Sequence, residues 1–70
     1  MFNEHVSLNP AFKESATTLG KALAVMAENA ANMHYLYNAI ALTFYAWQNG
    51  MLFESDFDKI ASIVAHKRLP

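Results

Sequence analysis

Alternating steps of four and three from Phe12 return Phe12, Ala16, Leu19, Leu23, Met26, Ala30, Met33, Tyr37, Ile40, Phe44, Trp47 and Met51, without one polar residue among them. An apolar repeat of 3.5 residues is the seam of a long α-helix packed lengthwise on other helices. The spacing predicts an all-α chain: an unequal helical hairpin with one heptad-patterned helix over 10–48 and one short helix over 56–67.

That geometry is a statement about partners. At about 1.5 Å per residue the first helix would be roughly 60 Å long and the second roughly 18 Å. The short helix cannot cover so long a seam, and an uncovered apolar stripe of that size is a binding surface or an aggregation hazard. The expected product is a homo-oligomer or polymer assembled through helix one. The alternative is a small helical binding module, such as a regulator, antitoxin or inhibitor, whose long helix packs on another helical protein. A break at Asn29-Ala30-Ala31-Asn32 would instead give a compact three-helix domain. The repeat keeps its phase through that segment, which favours the unbroken helix.

Local signals set the ends. Asn9 before Pro10 is a helix start, with an Asn side chain for the free amides and Pro at the first helical position. Asn49-Gly50 supplies residues suited to a left-handed C-terminal cap. Gly20 is the weak link inside, costing about 1 kcal/mol relative to Ala. Ser55-Asp56-Phe57-Asp58 resembles a capping box, with acids at the positive end of the next helix dipole. Residues 1–8, carrying Phe2, Val6 and Leu8, read as an extended N-terminal arm.

The outer faces change character along helix one. The outermost heptad positions are Glu14, Lys21 and Glu28, then Tyr35, Leu42 and Asn49, and residues 29 to 53 hold no Asp, Glu, Lys or Arg. The second half is therefore apolar or aromatic nearly all round, as in a helix enclosed on several sides. The positions flanking the seam, among them Gly20, Ala22, Ala27 and Ala41, are mostly small and neutral. They let backbones approach and favour many-helix packing over an isolated charged pair.

Composition narrows the class. Seventy residues make a marginal core unless oligomerisation, a metal or disulfides assist, and there is no cysteine. Hydrophobic residues make up 54% and charged residues 16%, so excess apolar surface is left for partners. Five basic residues and a net charge of −1 provide no basic stripe for nucleic acid. The first residues lack the pattern of a signal peptide, so the expected location is cytoplasmic. A membrane span is disfavoured because Asn29, Asn32, His34, Asn38, Gln48 and Asn49 interrupt the uncharged stretch.

Candidate chemistry is sparse. Glu54, Asp56 and Asp58 have the spacing that opens a calcium loop, but Lys59 and Ala65 stand where the turn glycine and closing Glu belong. Helix capping accounts for these acids, and no metal or cofactor is expected. His5, His34 and His66 lack ligand partners at helical spacing, and no nucleophile, base and orienting acid recur together. The chain therefore reads as non-enzymatic, with no catalytic residues. His34 is the candidate pH switch: it flanks the seam where charge is absent, and protonation would insert charge into a packed region. Tyr35, Tyr37, Tyr45 and Trp47 read as packing groups.

Pro10-Ala11, then Leu23-Ala24 leading to Asn29-Ala30, and finally Met51-Leu52-Phe53 before Asp56 follow the order of segments in one known family. The chain resembles the bacterial R-body (refractile body, killing trait) proteins, which are short, Ala-rich, cysteine-free and helical. Where that family carries a run of glutamines, this chain has Met33-His34-Tyr35. The resemblance implies a subunit of a coiled ribbon or filament that unrolls on acidification.

Overall fold

A computed structural model describes residues 9 to 69. The proposed N-terminal arm, with Phe2, His5, Val6 and Leu8, lies outside the described residues. Three helices follow in order: α1, Pro10–Asn29; α2, Met33–Gln48; and α3, Glu54–Ala65. No strand occurs among the described residues. The chain is all-α.

The helix ends follow local chemistry. Asn9 Oδ1 accepts the amide of Ala11 at 2.9 Å, with Pro10 in the first turn of α1. At the end of α2, Gly50 takes φ 69°, and the amides of Gly50 and Met51 reach the carbonyls of Trp47 and Ala46 at 3.2 and 2.9 Å. This paired closure is a Schellman cap and needs a left-handed residue at Gly50.

The continuous helix over 10–48 is corrected by the structure. Ala30 leaves the helical region with φ −60° and ψ 122°, and Asn32 is extended with φ −152° and ψ 169°. Asn32 Oδ1 accepts the Tyr35 amide at 3.0 Å and its carbonyl accepts from Leu36 at 3.1 Å. Asn competes with the helical ladder by bonding nearby amides, so it serves better as a cap than inside a helix. The break lets α2 fold back and bury its surface on α1 within one chain. The short helix also differs from its predicted place: it begins two residues early, at Glu54. Phe53 is its cap, without a side-chain bond, and Ser55 lies inside the first turn with Glu54 and Asp56. The acids still meet the positive end of the helix dipole.

Two contacts fix α3 against α1. Buried Gly20 faces Asp56, and Lys67 Nζ donates to the backbone carbonyl of Glu28. Both contacts advance in the same direction along the two helices, so α3 runs parallel to α1, while α2 runs back and packs on both. Lys67 thereby supplies a cation to carbonyls that the end of α1 leaves unpaired. The first turns of α1, through Ser15, are exposed.

The core is built from small side chains. Its buried cluster comprises Leu23, Ala24, Ala27, Ala30, Leu36, Ala39, Ala46, Leu52 and Ile60. Among the described residues, only Leu52 and Ile60 are large and fully enclosed. Thr43 is buried among them, and its hydroxyl donates to the Ala39 carbonyl at 2.7 Å. At the junction of α2 and α3, Phe57 stacks on Trp47 at 4.8 Å and meets Phe44 edge-on at 5.6 Å.

Candidate functional site

Large apolar side chains crowd the outside. Phe12, Val25, Met26, Met33, Tyr35, Tyr37, Leu42, Phe44, Tyr45 and Met51 are all exposed. The predicted seam is thus divided. Ala16, Leu23 and Ala30 are buried, and Leu19, Ile40 and Trp47 are half-buried against the core. Phe12, Met26, Met33, Tyr37, Phe44 and Met51 face solvent. The buried face of α1 turns toward Gly20, Ala24 and Ala27, and that of α2 toward Leu36, Ala39, Thr43 and Ala46. Small residues in and beside the seam make much of the intrachain contact together with Leu23 and Leu36, while Phe12, Met26, Met33, Tyr37, Phe44 and Met51 of the seam remain outside.

These exposed groups gather on two flanks of α2. On the first, Tyr35, Asn38, Leu42 and Tyr45 recur at three- and four-residue spacing. Tyr35, Asn38 and Leu42, with Met26, Asn29, Ala30 and Ala31, line an open groove of about 730 Å³ between α1 and α2. On the second, Met33, Tyr37, Ile40 and Phe44 recur likewise. Ile40 and Phe44 border a smaller hollow of about 200 Å³ shared with Phe57, Ile60, Ala61 and Val64 of α3. No side chain named on either flank carries a formal charge at neutral pH, so what opposes desolvation there is two amides and three phenols.

His34 is exposed in the first turn of α2, edge-on to Tyr35 at 6.0 Å. The single chain does not bury it, so a switch of the expected kind needs a partner to cover it. His66 sits past the end of α3, its Nδ1 2.8 Å from the Ser62 carbonyl. Among the described residues, no three His, Cys, Asp or Glu gather as metal ligands, and no helix is long and apolar enough to cross a membrane.

Sequence reasoning missed the role of Gly20, which is a contact point with α3. The small residues Gly20, Ala24 and Ala27 along one side of α1 carried that signal. Comparison of the chain with family models, with curated proteins and with solved structures returns no match. The R-body resemblance rests on the segments quoted above.

Proposed function

We propose that this chain is a non-enzymatic building block that assembles with copies of itself through the two flanks of α2. The observation that carries the reading is an inversion of side-chain size: alanines fill much of the core, while Tyr35, Tyr37, Phe44 and Tyr45 stand outside, 61%, 60%, 50% and 64% exposed. Aromatic side chains bury roughly 150–250 Å² each, so these four offer on the order of 450 Å² of coverable surface. Met26, Met33, Leu42 and Met51 extend it toward roughly 800 Å² summed over both flanks, which is the total of a weak contact when each partner covers one flank. A seventy-residue chain in which Leu52 and Ile60 are the large, fully enclosed side chains among the described residues gains most from such burial.

A ribbon or filament responsive to acid is the finer form of this proposal, supported by the R-body resemblance and by His34 beside the first flank. The experiment is light scattering coupled to size exclusion across a wide concentration range. Association that grows with concentration is expected. A monodisperse monomer at the highest concentration overturns the reading and favours the binding module, with α2 packed on a different helical protein.

A further inference from the structure

We propose that copies join head to tail, the Tyr37 and Phe44 flank of one chain seating in the α1–α2 groove of the next. The inference rests on the self-assembly reading and adds the geometry of contact. At about 100° per residue, Tyr37 lies roughly 140° around α2 from Leu42, so one partner cannot cover both flanks in the same way.

The flanks also differ in shape. One is a hollow with buried Ala30 in its lining and the exposed side chains of Met26 and Tyr35 beside it. The other presents two exposed rings two turns apart, above a hollow that Phe57 already borders. Ring into hollow fills space, whereas hollow against hollow leaves a void and forfeits contact.

Polarity points the same way. Among the described residues, the polar side chains lining the groove are the amides of Asn29 and Asn38 and the phenol of Tyr35. An aromatic body with a hydroxyl tip suits that lining, because a buried phenol needs a hydrogen-bond partner. Tyr37 supplies one. Neither surface of α2 brings a charge that would have to be buried unpaired. A head-to-tail contact leaves a free groove at one end and free rings at the other, so the product is open-ended unless rotation closes it into a ring.

The test uses Tyr37→Asp, which spoils the rings and keeps the groove, and Leu42→Asp, which does the reverse. Sedimentation velocity on each alone should show monomer, and an equimolar mixture should show a one-to-one dimer, intact rings meeting intact groove. Dimers from each variant alone, with no new species on mixing, would overturn the head-to-tail geometry and leave self-assembly standing. Either variant alone polymerising like the parent, or a mixture that stays monomeric, also overturns it. A parent chain that is itself monomeric removes the underlying reading instead. Should either variant lose helical circular dichroism, Tyr37→Cys and Leu42→Cys replace them, since the chain has no other cysteine. A short bismaleimide should then link the two different chains within the assembly, and efficient linkage of either variant to itself contradicts the proposal.

Discussion

Gly20 of α1 faces Asp56 of α3 so closely that a Cβ added at Gly20 would lie 2.9 Å from the Asp56 Cβ, with the carboxyl group nearer still. The contact explains why a helix carries glycine at this place. Asp56 belongs to the first turn of α3, where its charge meets the dipole, and the absent side chain at Gly20 lets that turn lie against α1.

Gly20→Ala tests this directly. In an uncrowded helix the change would gain up to about 1 kcal/mol from propensity. Here the methyl meets the base of a short side chain as well as its tip, and overpacking of that kind costs about 1–3 kcal/mol. A net loss of up to about 2 kcal/mol is expected in urea unfolding. In a domain this small each kcal/mol lowers Tm by about 4–8 °C. Adding Asp56→Ala should restore part of the loss, because the Cβ contact remains. A Tm raised by the full propensity gain of Gly20→Ala would show that α3 does not crowd Gly20 here.

Leu52 tests the core from the loop between α2 and α3. It is 0% exposed and, with Ile60, is one of the two large side chains fully enclosed among the described residues. Truncating a buried leucine to alanine costs about 2–5 kcal/mol. A chain of this length holds about 4–10 kcal/mol in all, so Leu52→Ala should lose most of its cooperative thermal transition when dilute. Higher protein concentration should recover part of it if association stabilises the fold. A dilute variant that melts like the parent would remove Leu52 from the core.

The legible and illegible parts of this fold have physical reasons. Asn9-Pro10 and Asn49-Gly50 were readable because each rests on a local backbone requirement. The turn at Ala30 was not, since Asn29-Ala30-Ala31-Asn32 can continue a helix or stop it, and only packing of α2 back on α1 decides. The seam misled for a related reason. In α2 nearly every face is apolar, so several registers satisfy the same pattern, and side-chain size selects among them. Leu36 and Ala39 go inward while Tyr37 stays out.

Acid response is a separate expectation, carried by the exposed place of His34 next to Tyr35. An assembly that covers this edge encloses an imidazole in uncharged surroundings, and a state that encloses it neutral binds fewer protons than the free chain. Protonation of histidine would place an unpaired charge in those surroundings, so acid should favour the free chain or a loosened assembly across the range from neutral to mildly acidic pH. Light scattering across the range should fall for the parent and stay nearly flat for His34→Gln. Matching profiles for the two proteins would assign any acid response elsewhere.

Leu23 and Met26 separate folding from association. They are successive members of one apolar seam, yet Leu23 is 2% exposed and Met26 41%. Aspartate at position 23 places an unpaired charge among Ala24, Ala27 and Leu36 in the core cluster, costing several kcal/mol. Leu23→Asp should lose helical circular dichroism at every concentration. Aspartate at position 26 meets water at the edge of the α1–α2 groove, so Met26→Asp should keep the parent's dilute-solution helix content and stability within about 0.5 kcal/mol. Its association should weaken at least tenfold, because the charge must be stripped of water when the groove fills. Equal loss of helix in both variants would restore the continuous seam as the packed face. Equal retention of association in both would show that neither residue faces a partner.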